Sequence, residues 1–284
     1  MALLQPTGLA HGHYECRSLD ETLPIFTDLM AAEIVGRAPG IAAVKHPNTD
    51  WLLVIHEGGE DSPRKPLGNH YGFRVADHTE VEAAYTYIKT NQKKYGITTI
   101  SRPHASHFAY SIYMKEPGGN TLEIEYYNPG AAAHGRQVAA RHWTTPLSAD
   151  RFPGRGYVPQ ALSHGTLQAR DKAVSDKFYT EVLGLDILGG GQRSTYIGHA
   201  DTPWYIVVLP VPSKRPLAPV NRFTLTVASA SAVRSAHDAL SEGGKAMGIY
   251  SLGDLTEVGG EARFQLSDLD RNWWEISSSA DWQE

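Results

Sequence analysis

The segment "NTLEIEYY" places Glu123 and Glu125 two residues apart, alternating with Leu122, Ile124 and Tyr126. On an extended strand this spacing turns both carboxylates to one side of the pleat. Two acids on one face either look at water or grip a cation. Thirteen histidines accompany a single cysteine, Cys16, so a metal site here would be built from nitrogen and oxygen donors, without a thiolate cluster. His11 in "LAHGHYEC", His70 in "NHYGFRV" and Glu123 supply two imidazoles and one carboxylate from three strand-like segments. That is the facial set expected of a non-haem Fe(II) or Mn(II) centre, with the remaining coordination positions open.

The elements that must position these residues recur along the chain. "LAHGHYECRSLDETLPIFTDLM" from Leu9 parallels "LSHGTLQARDKAVSDKFYTEVLGL" from Leu162: leucine, small residue, histidine, glycine, then an amphipathic helix. "NHYGFRV" parallels "NRFTLTV", and "NTLEIEYY" parallels "NWWEISSS", at offsets of 153, 152 and 152 for the three pairs of segments. One register held across three separate segments identifies two homologous halves.

The repeat also ranks the candidate ligands. Glu123 has its counterpart in Glu275 and His11 in His164, whereas Glu125 faces only Ser277, His13 faces Thr166, and His70 faces Arg222. An arginine cannot deprotonate in a protein, and its fork would pair with Glu275 rather than tolerate a divalent cation. A metal is therefore expected in the first half, on His11, His70 and Glu123, and none in the second. If units pair crosswise between the halves, His164 replaces His11 beside His70 and Glu123. Consecutive pairing is the simpler arrangement and is the one expected.

Each half reads as strand, helix and several short strands closed by turns such as "PGG" and "GGG", which is an α+β pattern. Residues 1–130 form the expected metal-binding domain and 158–284 the second domain. Residues 131–157, rich in Gly, Ala, Pro and Arg, read as a linker with a short helix around 135–142. The 284-residue chain is 41% apolar and 20% charged with a formal net charge of -5, which argues against a nucleic-acid partner. "MALLQPTGLAHGHYEC" lacks the basic and long apolar regions of a secretory signal, and no apolar run reaches the length of a membrane span. A cytoplasmic protein with no membrane partner is expected.

These residues resemble the vicinal oxygen chelate superfamily, which includes glyoxalases, bleomycin-resistance proteins and extradiol dioxygenases. The resemblance spans nearly the whole chain outside the linker and implies tandem βαβββ units making two glyoxalase-like domains. Its ligand pattern implies His11, His70 and Glu123 as metal ligands. Residues 102–123 come close to the signature of type I extradiol ring-cleaving dioxygenases: His104, seven residues, Ile112-Tyr113, two residues, Glu116-Pro117, a glycine turn and Glu123, with Arg102 the one mismatch. By this resemblance His104 would deliver a proton from outside the metal's own ligands, and Tyr113 would donate a hydrogen bond to bound substrate. The related two-domain enzymes hold their metal in the C-terminal half and carry a further catalytic histidine on a middle strand. Here "KHPNTDWLLVIHE" offers Trp51-Leu52 near that point, with His46 and His56 out of register.

The resemblance implies an Fe(II)- or Mn(II)-dependent extradiol-type dioxygenase, an oxidoreductase acting with O2 on a small catecholic or aromatic substrate, with a homo-oligomer left open. A glyoxalase-like isomerase or lyase using the same metal set is the alternative in another reaction class. A non-enzymatic small-molecule binder of the bleomycin-resistance kind is the third reading.

Overall fold

Four strand–helix–strand units follow one another along the chain. The computed structural model describes residues 2–60, 68–106, 109–128, 143–191, 194–199, 202, 204–211 and 216–282; the helix expected around 135–142 lies outside them. Unit one comprises β1 (Pro6–Cys16), α1 (Leu19–Leu29), β2 (Glu33–Ala38), β3 (Ile41–Lys45) and β4 (Leu52–Glu57). Unit two comprises β5 (His70–Arg74), α2 (His78–Asn91), β6 (Thr99–Ile100), β7 (His104–Ser106), β8 (Ala109–Lys115) and β9 (Thr121–Tyr127). Unit three comprises β10 (Ala161–Gln168), α3 (Lys172–Lys177) continuing into a π turn, β11 (Asp186–Gly191), β12 (Ser194–Gly198) and β13 (Tyr205–Leu209). Unit four comprises β14 (Arg222–Val227), α4 (Ala230–Gly243), β15 (Ile249–Leu252), β16 (Thr256–Val258), β17 (Glu261–Asp268) and β18 (Trp273–Ser277). Three of the helices begin at a polar cap: the side chains of Asp77, Asp171 and Ser229 accept the otherwise unpaired N–H groups of the first turn. Among the described residues no helix is long and apolar enough to cross a membrane.

The units assemble crosswise. One sheet runs β15-β17-β18-β14-β1-β4-β3-β2, with β16 on β17, and joins units four and one. The other runs β11-β12-β13-β10-β5-β9-β8-β6, with β7 on β8, and joins units three and two. The junctions are antiparallel, β1 on β14 and β10 on β5. The expectation that each half closes on itself is thus corrected: each sheet takes one unit from each half.

Packing between the sheets accounts for the glycine of the Leu-small-His-Gly motif. A β-carbon on Gly12 would sit 2.7 Å from the Tyr71 hydroxyl, and one on Gly165 would sit 2.7 Å from Cζ of Phe223. In both cases a glycine of one sheet accepts an aromatic ring of the other. Trp51 stacks at 6.0 Å on Trp204 and at 5.9 Å on Phe223, fully buried where units one, three and four meet. The main apolar core, holding Leu9, Tyr14, Phe26, Phe73, Leu167 and Leu225, draws on strands of both sheets. Crosswise pairing lets these aromatics interlock; the opposite face of each sheet, its cup, holds a buried polar cluster.

The motif's histidine reaches the cup through a bulge. The β10–β5 register shifts between Leu162 and His164, and the β1–β14 register shifts between Leu9 and His11. The extra residue lets adjacent side chains turn to the same side, so that Ser163 and His164 both enter the cup while Leu162 and Leu167 stay in the core.

Candidate metal centre

His70 starts β5, Glu123 lies in the middle of the neighbouring parallel strand β9, and His164 lies on β10 across the antiparallel junction. All three are buried. Nε2 of His70 lies 3.0 Å from Oε2 of Glu123 and 3.2 Å from Nε2 of His164, and the third edge, His164 Nε2 to Glu123 Oε2, is 3.3 Å. Octahedral coordination with bonds of about 2.1 Å places neighbouring ligand atoms roughly 3 Å apart. The triangle has that size.

Hydrogen bonds decide which ring nitrogen faces inward. Nδ1 of His70 is 2.8 Å from the Gly68 carbonyl oxygen, and Nδ1 of His164 is 3.2 Å from Oε1 of Glu125. The Gly68 carbonyl and the Glu125 carboxylate can only accept, and the Ser163 hydroxyl, 3.0 Å from Nδ1 of His164, accepts there while donating to Glu125 at 2.9 Å, so both Nδ1 atoms carry protons that point away from the centre. In the neutral rings both Nε2 lone pairs then converge on a carboxylate. Oε1 of Glu123 is buried with no hydrogen-bond partner among the described residues. Three acceptors and an orphaned carboxylate oxygen meeting in a buried space fit a cation.

The charges follow the same geometry. Burial alone would raise Glu123, but hydrogen bonds from His164 and His70 and their charges hold it well below the usual carboxylate range. Burial alone would lower His164, yet Glu125 and Glu123 push it up to about 9. With no metal, a proton does at this triangle what a divalent ion would do more strongly.

Gly72 makes room for the third side chain of the triangle. A β-carbon there would lie 2.1 Å from Cε1 of His164, so only a bare backbone lets the imidazole lie across β5.

His11 is not part of this centre, and its expected place is corrected. It lies on β1 in the other sheet, where its Nε2 donates to the Ala280 carbonyl oxygen at 2.7 Å. That cup contains Arg222 paired with Glu275 at 2.9 Å, as expected for an arginine in that position. Thr224 binds the other oxygen of Glu275 at 3.2 Å, and His13 sits between Thr224 and His56 at 3.0 Å from each. His56 and His46 both belong to unit one; His46 is buried against the Pro159 carbonyl at 3.0 Å. Neither belongs to the sheet that carries the triangle. In that sheet the middle-strand segment is "LGGGQRSTYIGHADTPWYIVVL", whose one histidine, His199, bonds to the Pro6 carbonyl at 3.0 Å.

Tyr113 pairs directly with Glu123 across β8 and β9, and its ring stands 5.3 Å from that of His70. Burial first, and the Glu123 charge second, keep its phenol protonated well above the ordinary range. His104 is exposed on β7; its ring is 5.8 Å from Tyr113, and its Nδ1 donates to the Arg102 carbonyl at 3.1 Å. Beside the triangle opens a cavity of about 470 Å³ lined by His70, Ile100, Tyr113, Met114, Lys115 and Leu209, among others, within the size range of small-molecule sites.

Residues 8–124 match the family model described as the Glyoxalase/Bleomycin resistance protein/Dioxygenase superfamily. Among solved structures the chain is similar to glyoxalase I from Zea mays, with TM-score 0.66 and 16% identity over 95% of this chain and 92% of that one. It is also similar to a Bacillus subtilis protein named "putative dioxygenase", with TM-score 0.61 and 10% identity over 96% of this chain and 85% of that one. A search of curated proteins by sequence gives no match. The sequence match to this superfamily's model is confined to the first half of the chain, and the chain as a whole shares the fold of these structures.

Of the expected ligands, His70 and Glu123 meet in the triangle, and His164 takes the place expected for His11. Glu125 has no acidic partner in the repeat. That missing partner, with serine before His164 where alanine precedes His11, was the available signal.

Proposed function

We propose that this protein is a metal-dependent extradiol-type dioxygenase that uses Fe(II) or Mn(II), held by His70, His164 and Glu123, on a small catecholic substrate. The observation that supports it is the convergence of two histidine Nε2 atoms on a buried carboxylate whose Oε1 has no hydrogen-bond partner among the described residues. Two imidazoles and one carboxylate on one side of an ion are the donor set of non-haem Fe(II) oxygenases. When bound, the ion would acidify two adjacent substrate oxygens and provide a place for O2 beside them.

The chain's own residues have narrower tasks. The apolar cavity excludes water and orients a planar ring against Ile100, Met114 and Leu209. Tyr113, kept protonated, donates a hydrogen bond to a substrate oxygen. His104, at the exposed side of Tyr113, exchanges a proton with solvent. A reducing cytoplasmic setting suits a chain whose one cysteine, Cys16, is buried and unpaired.

A second reading is favoured by one observation: the middle strands of unit three bring no histidine to the cup. A glyoxalase-like isomerase or lyase would use the same three ligands without O2. The test is anaerobic reconstitution of the full chain with Fe(II), then a catechol panel followed with an oxygen electrode. Stoichiometric oxygen uptake with a yellow ring-opened product supports the dioxygenase; metal binding with turnover of another substrate and no oxygen uptake replaces it with the second reading.

A further inference from the structure

Behind His164 lies a buried polar network that the sister sheet does not repeat at the equivalent positions. Oε1 of Glu125 is 3.2 Å from Nδ1 of His164 and 2.9 Å from the Ser163 hydroxyl. Ser163 Oγ is also 3.0 Å from the same ring nitrogen. Arg74 donates to Glu125 through both Nε and Nη2, and its Nη2 also reaches the Tyr205 hydroxyl at 2.8 Å. The Tyr205 ring stacks on the His164 imidazole, with centroids 5.5 Å apart and planes 15° apart. Glu125 and Arg74 are almost wholly buried.

The repeat supplies the control. The positions of Arg74, Glu125, Ser163 and Tyr205 are taken in the other cup by Thr226, Ser277, Ala10 and Leu52. The same fold, with the same histidine on a bulged first strand, therefore closes without an ion pair, serine or tyrosine at these positions; its own buried pair, Arg222 with Glu275, stands at the positions of His70 and Glu123 instead. A buried ion pair is weak support for stability, since well-packed apolar residues of similar volume often serve as well or better. All four groups appear only where the ligand set is complete. We infer that Glu125, aligned by Arg74 and Ser163, is a positioning residue for His164: it fixes the ring with Nε2 toward the metal and makes that ligand a stronger donor than His70, whose Nδ1–H meets only a neutral carbonyl.

This inference rests on the metal reading of the triangle, and its test separates the two. The double variant Arg74→Thr/Glu125→Ser installs the sister sheet's pair in the full-length protein without leaving a lone buried charge. Metal-free wild type and variant are compared by thermal unfolding, and both are titrated with Co(II) against a chelator while the ligand-field bands are recorded. The expected result is a variant that unfolds no earlier than wild type yet binds Co(II) roughly 10–100-fold more weakly with shifted bands. Glu125→Gln keeps an acceptor for the Nδ1 proton and should recover part of the loss. If the double variant does not fold, Glu125→Gln and Ser163→Ala carry the test, each with a smaller loss expected. A folded variant with wild-type affinity and spectrum overturns the positioning role and leaves the metal centre standing. A wild type that takes up no divalent metal overturns both.

Discussion

Nδ1 of His164 lies 3.2 Å from Oε1 of Glu125, while Nε2 of the same ring lies 3.3 Å from Oε2 of Glu123. One imidazole thus bridges the two acids of "LEIEY", and the two acids do different work. Glu123 faces the triangle, and Glu125 faces the back of the His164 ring. Their shared side of the pleat is neither a wetted face nor a pair of equivalent ligands.

The first prediction separates the two motif histidines. His164→Ala should lower Mn(II) or Co(II) affinity on the order of 100-fold or more, whereas His11→Ala, in the other cup, should leave metal content unchanged. Metal analysis after dialysis against a weak chelator reads the difference.

A second concerns the bare backbone at position 72. In Gly72→Ala the new methyl group would overlap the His164 ring, whose nearest atom is 2.1 Å from the β-carbon position. The ring must swing away, and affinity should fall roughly 10–100-fold. The protein should remain folded by circular dichroism, because the backbone at 72 is ordinary strand.

A third addresses the packing that joins the sheets. Trp51→Ala removes a ring stacked between Trp204 and Phe223. The loss should be about 3–5 kcal/mol, measured by urea unfolding of the metal-free protein.

A fourth concerns pH. Burial lowers the His46 imidazole to about 4, against an ordinary value of 6.5. Its folded-state pKa is depressed, so its neutral form costs nothing above pH 6.5. Below that, the unfolded chain gains a proton that the folded chain refuses, and stability falls until about pH 4. The full effect is about 3 kcal/mol. His46→Gln should flatten the urea stability profile across this window. An unchanged profile would show that other groups carry the acid sensitivity.

Much of the architecture was readable because the repeat keeps one register. Offsets of 152 and 153 placed β1 on β10, β5 on β14 and β9 on β18, and each pair occupies equivalent places. The partner of each unit was not readable from that register, since two copies of one motif present similar edges to either neighbour. What breaks the tie is local: Ser163 beside His164 but Ala10 beside His11, and Gly72 opposite His164 where Thr224 stands opposite His11. Those differences carry meaning only once hydrogen-bond partners are known. The tasks proposed for Tyr113 and His104 likewise depend on a cavity wall that takes Leu209 from the far half of the chain.

The crosswise sheets have a consequence for assembly. Two donors of the triangle come from the first half of the chain and the third from the second, with His70 and His164 94 residues apart. Neither half alone owns a complete binding set, so an ion can be captured only after β5 and β10 have zipped together. The bound ion would then act as a rivet across that seam, adding stability in proportion to its affinity and free concentration. Loss of metal would loosen the junction first, and amide exchange along β5 and β10 is where that loosening would show.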